Sequence, residues 1–190
     1  MLAKGYLNKL RKALHDYAGK RVLVIQESNK ALHHAKRAIF ALHRDNLKEA
    51  REKINESEKI FKALNKKYAS DIRIKGEGAY KAGLEEYVEA KLFYSFVTEN
   101  KIGEVKEIPI SNEVYLAGLC DVPGELYRYA VKAATNKDEV TVKKCAQMAQ
   151  DVVGELIEFN LTSYLRTKFD QAKGATNRLE QVVYELSLRK

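Results

Sequence analysis

The chain has 190 residues, of which 45% are hydrophobic and 32% are charged, and its formal net charge is +8. A chain of this length can bury a sizeable core, and its apolar content excludes a disordered polyelectrolyte. Its two prolines and ten glycines provide too few turns for an all-β sandwich or barrel. Its apolar runs are too short for a membrane span, the first residues lack the apolar stretch of a signal peptide, and two cysteines without a CxxC pair indicate neither a disulfide framework nor a zinc site. We therefore expect a soluble, cytoplasmic, helix-rich protein with no membrane partner.

Apolar residues recur at helical spacing along the chain, which predicts seven helices in a single all-α domain over residues 1–190. A short first helix from Tyr6 to Tyr17 is expected to break at Gly19, and a long second helix to run from Lys20 to Arg44. The remaining predicted helices are 47–68, 79–98, 112–135, 139–159 and 163–188. No linker or internal repeat separates them, so we expect one antiparallel helical bundle.

The positive charge is concentrated in the amino-terminal third of the chain. Residues 1–68 carry a net charge of +10, whereas residues 69–190 carry −2. A basic segment is typical of a protein that binds a polyanion such as nucleic acid or an acidic membrane surface. A lysine-rich solvated surface has the same composition, so charge alone leaves both interpretations open.

A stripe of basic residues lies on the second predicted helix, opposite its apolar face. At 100° per residue its members fall within about 60° of one another, with Phe40 at the edge. This basic stripe consists of Lys30, His33, Arg37 and Arg44. Cations beside an aromatic ring can hold a phosphate backbone and offer a stacking surface for a base. The alternative is an ordinary solvated face, because every amphipathic helix needs a polar side.

The fourth predicted helix carries two carboxylates in apolar surroundings. Glu86 and Glu89 are three residues apart, so their side chains share a face. The helix is apolar nearly all the way round, which is typical of a buried helix. Buried carboxylates are costly unless they are paired or bound to a metal, so these two acids are candidates for a site.

The fifth predicted helix places an acidic pair one turn from a basic pair. Asp121 and Glu125 share a helix face with Arg128 and Lys132, an arrangement that suits a metal-bound phosphate; the alternative is salt bridges to neighbouring helices. Carboxylates from two helices favour a hard cation such as Mg²⁺ or Mn²⁺, and the Glu-x-x-His spacing of a di-iron site does not occur. Pro123 lies between the two acids and marks either a kink or a helix boundary.

Four segments, in order along the chain, resemble translin-associated factor X (TRAX) of the translin family. Residues 36–44 (KRAIFALHR) are similar to its KR-x-IF-x-LHR segment, residues 83–90 (GLEEYVEA) to GLQEYVEA, and residues 115–126 (YLAGLCDVPGEL) to YL-x-G-x-x-DLTGEL. Residues 179–189 (LEQVVYELSLR) resemble the tail of both translin and TRAX. The likeness extends over most of the chain from about residue 28.

The resemblance implies an all-helical bundle that assembles into a hollow, usually octameric, shell. It also implies an Mg²⁺-dependent endoribonuclease that acts on single-stranded RNA from inside the shell. The catalytic and metal-binding acids of the TRAX type correspond to Glu86, Glu89, Asp121 and Glu125, and translin lacks this set. The chain departs from the pattern in Pro123, where threonine is usual, and in missing a long insertion before the fifth helix. In this it resembles the compact archaeal members, which are implied to form homomeric shells.

We therefore expect a metal-dependent endoribonuclease whose four acids bind one or two Mg²⁺ ions, with Mn²⁺ as an alternative. The cation would activate water for in-line attack on a phosphodiester. Seven residues are expected to contact RNA: Lys30, His33, Lys36, Arg37, Arg44, Arg128 and Lys132. The alternative is a non-catalytic protein of the translin type that binds single-stranded RNA or DNA, and a helical scaffold would leave the basic segment and the acids unexplained. We expect a homo-oligomer, with an octamer favoured, and the need for a translin-like partner subunit stays open.

Overall fold

The computed structural model describes residues 2–69 and 71–188, and that part of the chain is helical without a β-strand. The helices are α1 (Lys4–His43), α2 (Leu47–Lys67), α3 (Ile72–Lys75), α4 (Gly78–Glu99), α5 (Asn112–Thr135), α6 (Glu139–Ile157) and α7 (Ser163–Ser187). The all-α prediction is confirmed, and the ends of α2 and of α4 to α7 lie within two residues of their predicted positions. In these described ranges no helix is both long enough and apolar enough to cross a membrane.

α1 is one continuous helix of 40 residues, so the predicted break at Gly19 and the separate helix from Tyr6 to Tyr17 are wrong. A glycine inside a helix costs only about 1 kcal/mol relative to alanine, and it lacks the ring and the missing donor by which proline ends a helix. Contacts to the bundle also hold this segment. Tyr17 and Arg21 both donate hydrogen bonds to Glu77, the residue that precedes α4.

Two further details of the helices differ from the sequence interpretation. The four-residue helix α3 was not predicted, because a single turn is too short to show a helical period; its Ile74 is buried in the core. α5 continues through Pro123, so the boundary interpretation of this proline is wrong. The proline still removes one backbone hydrogen bond from the helix.

α4 and α5 form the centre of the bundle. α1 packs against α2 and α4, α4 packs against α5, and α5 packs against α6 and α7. Tyr87 and Phe93 of α4 and Leu126 of α5 are fully buried, and burying an apolar side chain of this size contributes about 1.5–3 kcal/mol. Both helices that carry the predicted acids are therefore held by the core.

Gly118 allows α4 and α5 to approach closely. A Cβ atom at this position would lie 2.8 Å from the carbonyl oxygen of Glu85 and 2.8 Å from Cβ of Val88. Both are atoms of the α4 backbone or directly attached to it, so only glycine fits without a shift of one helix. Gly118 thus fixes the separation of the two helices one turn before Asp121.

Candidate functional site

The four acids predicted from the sequence lie together where α4 and α5 meet, and we call them the acidic cluster: Glu86, Glu89, Asp121 and Glu125. They are close enough that the charges of Glu86, Asp121 and Glu125 all raise the pKa of Glu89. The helical spacing accounts for the pairs on each helix, and the close approach at Gly118 brings the pairs together. The cluster is largely buried: Glu89 is 7% exposed, and the other three side chains are between 13% and 28% exposed.

Glu89 is the most deeply buried member of the cluster. Its carboxyl group makes no hydrogen bond or ion pair with any residue in the described part of the chain. Burial raises its pKa well above the ordinary value, and the charges of Asp121, Glu86 and Glu125 raise it further. Without a cation, Glu89 therefore favours its protonated form. Such a carboxyl group, beside three other acids, is a donor that fits a hard cation.

Lys168 of α7 is the principal cation inside the site. Its Nζ atom binds Asp121 and lies 3.6 Å from Glu85 Oε2. Burial alone would lower the pKa of Lys168, but the hydrogen bond to Asp121 and the nearby negative charges outweigh it, and the net pKa is raised. The sequence interpretation missed this residue. The signal was present, because Lys168 shares the helix face of Leu165, Phe169 and Ala172, an apolar face at helical spacing.

His43, the last residue of α1, is a second residue that the sequence interpretation missed. Its Nε2 donates to the carboxylate of Glu125, and its ring packs on Phe93 with the ring centres 5.1 Å apart. Burial alone would raise the pKa of Glu125, but the hydrogen bond and charge of His43, together with Arg128, outweigh it, so the net pKa is lowered. The sequence contained one indication of this position: His43 is seven residues from Lys36, and this spacing places the two side chains on one helix face.

Three members of the cluster therefore pair with basic side chains from other parts of the bundle. Besides the contacts of Lys168 and His43, Lys36 Nζ lies 3.7 Å from Glu86 Oε2. These are the salt bridges to neighbouring helices that the alternative interpretation predicts. In this arrangement, no three His, Cys, Asp or Glu side chains within the described residues are grouped to hold a metal ion. The donor chemistry of the four carboxylates fits Mg²⁺, and a bound cation would share Asp121 and Glu125 with their present protein partners or replace those partners.

Two of the residues predicted to contact RNA, Lys36 and Arg128, contact acids of the cluster, and Lys132 lies one turn beyond Arg128 on α5. Arg128 Nη1 lies 3.0 Å from a carboxylate oxygen of Glu125. Lys132 Nζ donates to the carbonyl oxygen of His43 at 2.8 Å and also binds Asp45. The structure thus places positive charge beside the buried acids, as the spacing on the fifth helix predicts.

The basic stripe is exposed to solvent: Lys30, His33 and Arg37 lie on α1, and Arg44 is the residue that follows its last turn. The guanidinium group of Arg44 lies 4.7 Å from the ring centre of Phe40, whose side chain is 56% exposed. Arg37 and Arg44 both bind Glu49 of α2, which neutralises part of their charge. The stripe therefore combines exposed cations with an exposed aromatic ring.

The translin family model matches residues 19–190. The chain belongs to the translin family. The four segments that resemble TRAX all lie in the matched range, so the resemblance found in the sequence is confirmed.

Individual relatives cover nearly the whole of this translin-family chain. An uncharacterized protein of Methanocaldococcus jannaschii is 28% identical over 179 residues, which are 92% of this chain and 79% of the relative. The translin-associated protein X homolog of Schizosaccharomyces pombe is 26% identical, covering 93% of this chain and 84% of its own. A structure of AfC3PO in complex with duplex RNA superimposes with a TM-score of 0.86 at 19% identity, over 97% of this chain and 98% of that one. The helical fold is thus shared with a solved structure.

Proposed function

We propose that this protein is a divalent-cation-dependent endoribonuclease that cleaves single-stranded RNA, with the acidic cluster as its catalytic centre. The observation that carries the proposal is Glu89, a carboxyl group 7% exposed and surrounded by three more acids. Burying an unpaired carboxyl group opposes folding, and active sites are where such perturbed groups concentrate. The similarity to a TRAX homolog supports the same assignment.

Glu86, Glu89, Asp121 and Glu125 would hold Mg²⁺, or Mn²⁺ in its place, through carboxylate oxygens. When bound, the cation supplies positive charge that stabilises the transition state of phosphodiester hydrolysis and activates water. The lowered pKa of Glu125 keeps this carboxylate ionised at neutral pH and ready to act as a ligand.

The basic residues would bind and orient the RNA. Arg128, which contacts Glu125, is close enough to the acids to hold the phosphate next to the scissile bond by charge-assisted hydrogen bonds, and Lys132 would hold the backbone one helical turn further along α5. The basic stripe would follow the phosphate backbone further along, and exposed Phe40 offers a surface on which an unpaired base can stack. The solved RNA complex of AfC3PO, which has the same fold, supports an RNA ligand.

We propose a homo-oligomeric shell, an octamer, as the working form in the cytoplasm. The amino-terminal half of α1 supports association, because it exposes apolar side chains at helical spacing, among them Tyr6, Leu10 and Leu14. Exposed apolar surface of this kind marks an interaction site. Sedimentation of the purified protein gives the subunit number directly, and a monomer at micromolar concentration would contradict this part of the proposal.

A non-catalytic RNA-binding protein of the translin type is the second candidate. It is favoured by the ion pairs of Asp121, Glu125 and Glu86, which need no metal. The purified protein, without any partner subunit, should be incubated with end-labelled single-stranded RNA in Mg²⁺, in Mn²⁺ and in EDTA. The proposal predicts internal cleavage with either cation and none in EDTA, leaving 5′-phosphate and 3′-hydroxyl ends. RNA binding without cleavage under all three conditions would favour the second candidate.

A further inference from the structure

A lysine from outside the two central helices is buried against the acidic cluster. The Lys168 side chain is 13% exposed, and its Nζ binds Asp121 of α5 while lying 3.6 Å from Glu85 of α4. Lysine is almost never buried without a charged partner. The position of Lys168 therefore depends on the acids, and the acids depend on Lys168.

Lys168 differs from the other basic side chains at the site in the helices that it connects. Lys36 contacts an acid of α4, and His43 contacts an acid of α5. Within the described residues, only Lys168 is paired with acids of both helices. Its charge also acts on Glu86 and Glu89, which it does not touch. Lys168 is thus the lysine whose charge acts on acids of both α4 and α5.

We propose that Lys168 is a built-in counter-ion, which neutralises the acidic cluster before a divalent cation binds and releases Asp121 when the cation arrives. This inference rests on the proposed function. A divalent cation on Asp121 and the ammonium group of Lys168 would repel each other strongly at such short range in a buried site. This repulsion favours a position of the ammonium group away from Asp121 once the cation is bound.

The structure also provides a place for the displaced ammonium group. Glu85 is outside the acidic cluster and already lies 3.6 Å from Lys168 Nζ. Tyr164 donates a hydrogen bond to Glu85 at 2.8 Å, and its ring centre lies 5.4 Å from Lys168 Nζ. The flexible lysine side chain, with three donors, can turn from Asp121 to this second position without a change in the backbone. Lys168 is accordingly a positioning residue.

The first test compares Lys168→Met with Lys173→Met, which changes an exposed lysine on the same helix. Mn²⁺ affinity is measured by isothermal titration calorimetry, and melting temperature is measured in EDTA and in Mn²⁺. We expect Lys168→Met to bind Mn²⁺ about tenfold more tightly, because a competing positive charge is removed, and to melt at a lower temperature in EDTA. Lys173→Met should match the wild type. Unchanged or weaker Mn²⁺ binding by a folded Lys168→Met protein would overturn the proposal.

A second test uses the wild-type protein, so it does not depend on the variant folding. Lysines are acylated with an amine-reactive ester with and without Mn²⁺, and the labels are quantified by mass spectrometry. We expect Mn²⁺ to increase the labelling of Lys168 severalfold, since its bond to Asp121 is lost, and to leave Lys173 unchanged. If the wild type binds Mn²⁺ and cleaves RNA while Lys168 labelling stays constant, the counter-ion proposal fails and the proposed function stands. If the wild type binds no Mn²⁺ and cleaves no RNA, the proposed function fails as well.

Discussion

Replacing Gly118 by alanine should push apart the two helices that carry the acidic cluster. The added Cβ would lie 2.8 Å from the Glu85 carbonyl oxygen and 2.8 Å from Cβ of Val88, and neither atom can rotate away as the tip of a flexible side chain would. Overpacking of a core costs about 1–3 kcal/mol, and rigid neighbours favour the upper end of that range. Alanine regains about 1 kcal/mol through its higher helix propensity. The net loss is therefore about 2 kcal/mol in the free energy of unfolding.

Urea denaturation in EDTA measures this change, with Gly154→Ala as the matched control. Gly154 lies inside α6, and a Cβ there would meet nothing within 4 Å, so the control should be more stable than the wild type by up to about 1 kcal/mol. Gly118→Ala should also melt about 4–8 °C lower, at about 2–4 °C per kcal/mol for a chain of this size. If Gly118→Ala were as stable as Gly154→Ala, the close helix contact would not limit this position.

Three further predictions follow from the burial and charge of single side chains. In EDTA, the stability of Glu89→Gln relative to the wild type should increase from pH 5 to pH 8. The raised pKa of Glu89 makes the folded wild type keep a proton that the unfolded chain has lost, so the stability of the wild type falls as pH rises. A difference between the two urea midpoints that stays constant with pH would contradict this. Arg44→Ala should weaken RNA binding and reduce the slope of log affinity against log salt concentration by about 0.7. The control Lys101→Ala, which changes an exposed lysine, should leave this slope unchanged. Equal slopes for both variants would contradict a contact between the basic stripe and RNA. Leu126→Ala should lower the free energy of unfolding by about 2–5 kcal/mol, because the side chain is fully buried; a loss below 1 kcal/mol in urea denaturation would be inconsistent with its place in the core.

The sequence predicted the helices and the acids because both are local patterns. The apolar repeat that defines α5, for example, needs only residues 112–135, and the same spacing places Asp121 and Glu125 on one face. The predicted break at Gly19 was wrong because local helix propensity is a weak indicator that tertiary contacts override. Here the contacts come from Glu77, which lies far along the chain and binds Tyr17 and Arg21.

The partners of the acids could not be predicted in the same way. Lys168 is 47 residues from Asp121, and His43 is 82 residues from Glu125. Each pairing depends on how three helices pack, whereas the periodicity of one helix indicates only which of its faces is buried. The apolar face around Lys168 indicated that this lysine is buried, and only the packed bundle shows which acids it meets.

The central claim is that the acidic cluster cleaves RNA that the basic residues hold. Single-turnover cleavage of a labelled single-stranded RNA, at saturating protein and Mg²⁺, tests it most directly in Glu89→Gln against Glu155→Gln, which changes an exposed glutamate of α6. The claim predicts that Glu89→Gln binds RNA with wild-type affinity but cleaves it at least about 100-fold more slowly, because a metal ligand is lost, while Glu155→Gln cleaves at the wild-type rate. Cleavage by Glu89→Gln at the wild-type rate would contradict it.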